Sequence, residues 1–157
     1  MPESVLEWAL FYLQRGWSVI PAGGNKRPLI KWREFTQRRP TEAEVRRWYA
    51  RSPKAGVAVV TGAVSGIVVL DVDIKNDGDQ SLEALIGEGQ IPKAALEGSR
   101  VRTPSGGAHY YFAYPGGKTV QTLLGFRPGL DLKGDRGYVI APPTKGQKGG
   151  WTWEVGP

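Results

Sequence analysis

The sequence predicts an α+β fold in which helices cover one or both faces of a mostly antiparallel sheet. Segments whose apolar residues recur at helical spacing come early in the chain, separated by a short strand. The second half consists mainly of short runs rich in valine, isoleucine and aromatic residues, which are typical of strands. Its many glycines and prolines mark the turns between them. A succession of helix, strand, helix and then mostly strands indicates the α+β class.

The first predicted element is a helix from Ser4 to Arg15. Its apolar residues recur at helical spacing, and Gly16 follows at the position of a helix C-cap. We expect this helix to pack on the sheet. Trp17–Ile20 predicts a short strand, and a turn over Pro21–Asn25 leads into the basic segment Lys26–Arg33.

A second helix and two strands follow. Thr41 and Glu44 have the spacing of a capping box, which predicts the start of a helix, and Ser52-Pro53 ends it. Gly56–Val60 and Gly66–Val72 are rich in valine and isoleucine. They predict two strands with a tight connection between them.

The remaining sequence predicts one short helix and five strands. A loop rich in glycine and aspartate, Asn76–Asp79, precedes the helical segment Ser81–Ile86. The predicted strands are Ser99–Thr103, His109–Tyr114, Leu130–Leu132, Tyr138–Ala141 and Trp151–Val155.

Composition limits the chemistry. At 157 residues, the chain has the length of one domain. It contains no apolar run long enough to cross a bilayer and no export signal, so we expect a cytoplasmic protein with no membrane partner. The absence of cysteine excludes disulfides, thiolate nucleophiles and cysteine-based zinc sites. A net charge of +6 favours an anionic partner such as nucleic acid, although other basic proteins share this property.

Two carboxylates end the strand Gly66–Val72. Asp71 and Asp73 are two residues apart, so on a continuous strand both side chains point to the same face. Such a pair repels unless a divalent cation lies between the two. Oxygen ligands favour Mg²⁺ or Mn²⁺. A solvated strand end, where aspartate is common, is the alternative interpretation.

Two further segments carry polar residues beside glycine turns. Ser105-Gly106-Gly107 leads into a strand that holds the only histidine, His109, which is a candidate donor to a phosphate. Asp131 would be a third carboxylate if its strand lies beside that of Asp71. Lys133 and Arg136 would then supply positive charge to a triphosphate. Ordinary hairpins explain both glycine turns equally well.

These three segments, in this order and spacing, resemble the bifunctional primase-polymerase (Prim-Pol) domain of the archaeo-eukaryotic primase superfamily. The resemblance runs roughly from Trp8 to Trp153. It implies an RRM-like, mostly antiparallel or mixed sheet flanked by helices, in a single catalytic domain over residues 1–157. The end of the chain, just after an aromatic strand, predicts that this domain is the N-terminal part of a longer replication protein. Further stretches match the same pattern, namely Gly16–Pro21, Lys26-Arg27-Pro28 with Trp32, Val60-Thr61-Gly62 and Ser65–Leu70.

The resemblance also implies roles for single residues. Asp71 and Asp73 correspond to the first metal motif of the family, Asp131 to its third metal acid, and His109 to its phosphate-contacting histidine. The superfamily's second motif is serine, any residue, histidine, and this chain departs from it, because the residue two before the histidine is glycine. We therefore expect the amides of the Gly106-Gly107 turn to replace the missing hydroxyl.

The implied activity is template-dependent nucleotidyl transfer, as a DNA primase, a DNA polymerase or both, with NTP or dNTP as substrate. Two Mg²⁺ or Mn²⁺ ions are expected on the three acids. A helicase domain or subunit is a further expected partner. The expected nucleotide-binding residues are His109, Ser105, Gly106, Gly107, Arg102, Lys133 and Arg136. A basic run is expected to follow the phosphates of a single-stranded DNA template, with its tryptophan stacking on a base, and it comprises Lys26, Arg27, Lys31, Trp32, Arg33, Arg38 and Arg39.

Two other functions share these features. A metal-dependent nuclease also uses paired carboxylates, although no lysine or glutamate base is evident beside Asp71. A non-catalytic nucleic-acid-binding module of a replication initiator would keep the basic surface without needing the acids. Replacing Asp71 by alanine would leave such a module unaffected and would inactivate a polymerase.

Overall fold

The computed structural model describes residues 1–157 and confirms the α+β class. Every pairing between strands is antiparallel. None of the helices is long and apolar enough to span a bilayer. The α-helices are α1 (Val5–Gln14), α2 (Glu42–Arg51) and α3 (Gly78–Gly87). The strands are β1 (Ser18–Ala22), β2 (Gly56–Val60), β3 (Ile67–Val72), β4 (Arg100–Arg102), β5 (Ala108–Ala113), β6 (Leu123–Arg127), β7 (Leu130–Lys133), β8 (Tyr138–Ala141), β9 (Lys145–Gly146), β10 (Gly149–Gly150) and β11 (Thr152–Val155).

The strands form two principal sheets and a small hairpin. The larger sheet has the order β11-β4-β5-β3-β7-β6, so β3 lies between β5 and β7. A second sheet has the order β1-β2-β8, and β9 pairs only with β10. Although β2 and β3 are joined by a tight connection, they belong to different sheets. Gly62 and Gly66, which have φ angles of +97° and +69°, allow the chain to change direction between them.

The helix ends follow the capping signals in the sequence. The Ser4 side chain accepts a hydrogen bond from the Glu7 amide at the start of α1, and Gly16 follows its end with a φ of +91°. Thr41 and Glu44 form the predicted capping box of α2. The helix α3 begins earlier than predicted, at Gly78.

Strand β1 is longer than its sequence predicted. Pro21 and Ala22 belong to the strand instead of the turn, and Pro21 lies opposite Val57. Since β1 is an edge strand, the missing amide of proline leaves no central ladder incomplete.

Two apolar cores cover the two faces of the six-stranded sheet. The larger core contains 22 buried residues from both sheets, α1 and α2, and it includes Val69 and Tyr111. The smaller core packs α3 against the opposite face, through residues such as Leu70 and Leu130. Successive side chains of a strand point to opposite faces of the sheet. The residue two positions after Val69 therefore lies on the same face as Val69, which meets the second sheet.

Candidate active site

Three candidate residues lie side by side across the centre of the six-stranded sheet. Asp71 of β3 is directly opposite His109 of β5 on one side and Asp131 of β7 on the other. Directly opposed residues in an antiparallel pair share a face, with Cβ atoms about 4.5–5.5 Å apart. The strand register therefore places a histidine and two carboxylates next to one another, on the face that meets the second sheet.

Asp73 lies in the same region, but it is not on the strand as its spacing predicted. Strand β3 ends at Val72, and Asp73 caps a short 3₁₀ turn, Ile74–Asn76. Its carboxylate accepts hydrogen bonds from the Lys75 amide at 3.0 Å and from Asn76 Nδ2 at 2.6 Å. Asp73 nevertheless lines the same cleft as Asp71.

Asp131 is held by an irregular neighbouring strand. Its Oδ1 accepts a hydrogen bond from the Gly125 amide at 2.7 Å, and its Oδ2 lies 3.9 Å from Lys133 Nζ. Gly125 has a φ of +59° and lies between Leu123 and Arg127, where the register of β6 against β7 shifts. The resulting bulge directs a backbone amide at the carboxylate.

Asp71 lies in contact with the buried His109. Its side chain is 30% exposed, and His109 Nε2 lies 3.4 Å from its Oδ1. Burial alone would raise the pKa of Asp71, but the polar contact with His109 and the nearby charges of Lys133 and Lys26 lower it below its usual value. His109 itself is buried, and its Nδ1 has no hydrogen-bond partner.

Asp71, Asp73 and His109 line a cleft of about 510 Å³, and Asp131 is not among its lining residues. Its walls come from β3, β5, β7, β8, the turn before β5, the loop after β1 and the β9–β10 hairpin. Two aspartates in the lining, Asp71 and Asp73, face four lysines. The lysines are Lys26, Lys75, Lys133 and Lys148. The cleft therefore combines an acidic wall with an excess of positive charge.

The carboxylate oxygens suit a hard divalent cation, although the protein does not arrange them as a preformed metal site. No three histidine, aspartate or glutamate side chains converge closely enough to hold an ion. However, the pairing of Asp71 with Asp131 leaves two carboxylates opposed in one sheet, and only Lys133 forms an ion pair with Asp131. Carboxylate oxygens with no thiolate fit Mg²⁺ or Mn²⁺.

The turn before β5 differs in detail from the expected anion-binding loop. Ser105 lines the cleft. The Gly106 amide donates to the Thr103 carbonyl at 3.0 Å, so this amide is already engaged. Gly107 is needed for packing, because a Cβ atom there would collide with the carbonyl of Val72. The two glycines shape the turn, and neither lines the cleft.

Two predicted nucleotide-binding arginines lie outside the cleft. Arg102 extends into solvent and pairs with Glu154 at 3.2 Å. Arg136 is exposed in the turn between β7 and β8, where it has a φ of +63°. That turn is anchored by Asp135, whose carboxylate accepts from the Ala63 amide and from the Tyr114 hydroxyl.

Sequence reasoning missed two of the four cleft lysines and assigned a third to the template. Lys75 follows Asp73 by two residues, and Lys148 is at the tip of the β9–β10 hairpin. The glycines around Lys148 are a hairpin signal that was present in the sequence. Lys26 belongs to the predicted basic run, but it lines the cleft, where its Nζ lies 5.7 Å from the Trp151 ring centroid.

The other residues of the predicted basic run either contact other groups of the protein or are exposed without a partner. Arg38 pairs with Glu34 and Glu44 at 2.9 and 2.8 Å, so it stabilises the start of α2. Arg39 donates to the Gly16 carbonyl, and Trp32 packs edge to face on a tyrosine of β8. Three cations of the run are exposed with neither a carboxylate partner nor a side-chain hydrogen bond, namely Arg27, Lys31 and Arg33, whereas Arg39 lacks only the carboxylate.

Comparison with known proteins gives one family match. Residues 9–157 match the family model described as bifunctional DNA primase/polymerase, N-terminal. No curated protein matches the chain.

Proposed function

Since this chain belongs to the bifunctional DNA primase/polymerase N-terminal family, we propose that it catalyses template-dependent nucleotidyl transfer on single-stranded DNA by a two-metal mechanism. Family membership supports a primase or polymerase with DNA and nucleotides as substrates. We also propose that residues 1–157 act as one catalytic domain.

The observation that carries this proposal is the pairing of Asp71 with Asp131 across β3 and β7. Like charges directly opposite each other destabilise a sheet, so the arrangement calls for a bound cation. The four lysines of the cleft suit the phosphates of a nucleotide. Phosphoryl transfer depends mainly on positioning and neutralising charge, which this combination supplies.

In the proposed mechanism, Asp71, Asp73 and Asp131 would hold two Mg²⁺ or Mn²⁺ ions. When bound, the ions would activate the primer 3′-hydroxyl and neutralise the triphosphate. The low pKa of Asp71 keeps its carboxylate ionised at neutral pH. His109 orients that carboxylate through its Nε2 contact and contacts phosphate from the cleft wall.

The remaining cleft residues bind and orient the nucleotide. Lys133 balances the charge of Asp131 and stands beside the reacting phosphate. The Ser105 hydroxyl is a further phosphate donor from the turn before β5. For the template, we assign the exposed Arg27, Lys31 and Arg33 to the DNA phosphates, because none of the three is neutralised within the protein.

A primer-extension and priming assay tests the proposal. The protein is incubated with single-stranded template, labelled NTP or dNTP and Mn²⁺, with and without a primer. We expect labelled product that depends on template and metal, and its loss when Asp71 and Asp73 are both replaced by asparagine. DNA binding should persist or tighten in that double variant, since negative charge is removed near the DNA path.

Two other outcomes would overturn the proposal. Metal-dependent shortening of a labelled strand, without any extension, would identify a nuclease. DNA binding without incorporation or cleavage, and unchanged by the double substitution, would identify a non-catalytic module.

A further inference from the structure

A second groove shares a loop with the cleft that holds Asp71. It has a volume of about 420 Å³ and is lined by two segments, the loop after β1 and the turn between α2 and β2. Gly23 lines this groove, whereas the next residue, Gly24, lines the cleft together with Lys26. One loop therefore forms part of the wall of both cavities. The lining residues of the groove are Gly23, Leu29, Ser52, Pro53, Lys54 and Ala55.

The loop holds an apolar side chain at the surface of the groove. The Gly23 amide donates to the Arg27 carbonyl at 2.8 Å, and the Leu29 amide donates to the Pro21 carbonyl at 3.0 Å. These hydrogen bonds fix the backbone on both sides of the loop. The Leu29 side chain is nevertheless 50% exposed. It is therefore presented to a ligand in a defined position, at no further cost in backbone ordering.

The chemistry of the lining suits a nucleobase beside a phosphate. Leu29 and Pro53 are exposed and apolar, and the buried Ala55 completes the apolar surface. Apolar side chains of this kind pack against the faces of unstacked bases. Lys54 is exposed and forms no ion pair, and no acidic residue lines the groove. Its ammonium is thus available to an anion next to the base.

The positive charge of the whole chain is concentrated in the segments that border this groove. Residues 18–33 and 45–60 carry eight of the 21 lysines and arginines and none of the 15 acids. The rest of the chain therefore has two more acidic than basic residues. Of the eight cations, only Arg46 is paired with a carboxylate. Such a one-sided charge distribution attracts a polyanion to this part of the surface.

We propose that this groove binds a nucleobase of the single-stranded DNA template outside the cleft. In this proposal Leu29 and Pro53 contact the base and Lys54 contacts an adjacent phosphate. Arg27, which lies in the shared loop, binds the phosphates between the two cavities. The inference rests on the proposed nucleotidyl transfer on DNA, and it names a second position that the template occupies.

A protein is a poorer occupant of the groove than DNA. The six lining residues offer far less than the roughly 800 Å² per partner of a stable protein interface. A second copy of the chain docked groove to groove would bring the same concentration of positive charge, and the two copies would repel each other.

Fluorescence anisotropy with two labelled oligomers of equal length tests the proposal. One is oligo-dT, and the other is a chain of abasic deoxyribose phosphates. Leu29→Ala should weaken oligo-dT binding on the order of 5-fold, because part of the apolar surface that covers the base is lost. The same variant should bind the abasic chain within about twofold of wild type. Lys54→Gln should weaken both and lower the slope of log affinity against log salt by about 0.7.

Three variants serve as controls. Leu29→Met keeps the apolar side chain and should bind oligo-dT within about twofold of wild type. Leu124→Ala removes the same atoms from a side chain that is 69% exposed on β6, in the other sheet, and should have no effect. Lys93→Gln removes an exposed lysine outside the groove and should leave the salt slope unchanged. Thermal unfolding should be the same for all variants, since the substituted side chains are exposed.

The inference is overturned if Leu29→Ala binds oligo-dT as wild type does, or if it weakens the two oligomers equally, because Leu29 would then contact no base. A change in oligomeric state on sedimentation, with DNA binding unchanged, would identify the groove as a protein interface instead. If the wild type extends primers and Leu29→Ala keeps full oligo-dT affinity, only the groove inference fails. If the base-dependent loss is seen but the wild type never extends a primer, the groove stands and the proposed reaction fails.

Discussion

Replacing Asp131 by asparagine should separate stability from activity. The side chain would keep an oxygen that accepts from the Gly125 amide, and its repulsion with the opposed Asp71 would disappear. That cross-strand repulsion is worth roughly 0.2–1 kcal/mol. The variant would also lose the 3.9 Å pair with Lys133, which at 34% exposure of the Asp131 side chain is worth about 0–1 kcal/mol.

These two changes nearly cancel in the free energy of unfolding. We expect Asp131→Asn to lie within about 1 kcal/mol of wild type, with a melting temperature within about 2–4 °C. Primer extension should nevertheless fall on the order of 100-fold or more, because a neutral amide replaces an anionic metal ligand in the proposed site. Thermal unfolding and initial rates of extension at several Mn²⁺ concentrations measure the two effects.

Asp79→Asn is the control, since Asp79 is an exposed aspartate in the first turn of α3 and lies outside the cleft. It should extend primers at the wild-type rate. If Asp131→Asn also extends at that rate, Asp131 is not a metal ligand. If it instead unfolds at much lower temperature, the role of Asp131 is structural.

Three further predictions concern the fold and the template. The hydrogen bond from Arg38 lowers the pKa of Glu44 to about 2, so the stability it adds is present above about pH 4.5 and is lost as the pH falls towards 2. The difference in unfolding free energy between wild type and Glu44→Gln, about 0.5–1 kcal/mol at pH 7, should therefore vanish over that range in denaturant titrations. Gly107→Ala should lower the free energy of unfolding by about 1–3 kcal/mol, because the added methyl group meets the Val72 carbonyl; an unchanged melting curve would contradict this. Lys31→Gln should reduce the salt dependence of single-stranded DNA binding by about 0.7 in the slope of log affinity against log salt, and an unchanged slope would remove Lys31 from the template path.

The sequence predicted most of the regular elements because their signals are local. The capping box of α2 and the valine-rich strands depend on neighbouring residues alone. Strand β6 was missed, since its apolar residues do not alternate and Leu124 is 69% exposed. The β9–β10 hairpin was missed because it consists of glycine and polar residues, which carry no strand pattern.

The candidate site was predictable only in part. The spacing of Asp71 and Asp73 predicted a site at the end of one strand, but only the resemblance to a family predicted that Asp131 lies beside them. The pairing of Asp71 with Asp131 depends on the order of strands in the sheet. Along the chain β5 lies between β3 and β7, but in the sheet β5 pairs with one edge of β3 and β7 with the other. The ion pair of Arg102 could not be predicted for a related reason, since its partner Glu154 lies far along the chain.

The sheet acids Asp71 and Asp131 and two of the cleft lysines, Lys26 and Lys148, lie in parts of the chain that differ in their tolerance of change. Asp71 and Asp131 lie on adjacent inner strands, where an insertion would shift a whole ladder of hydrogen bonds. Lys26 and Lys148 lie on a loop and a hairpin tip, which accept substitutions and changes of length. Loop grafting or directed evolution confined to residues 23–27 and 145–150 is therefore a route to new substrate selectivity that leaves the carboxylates in place.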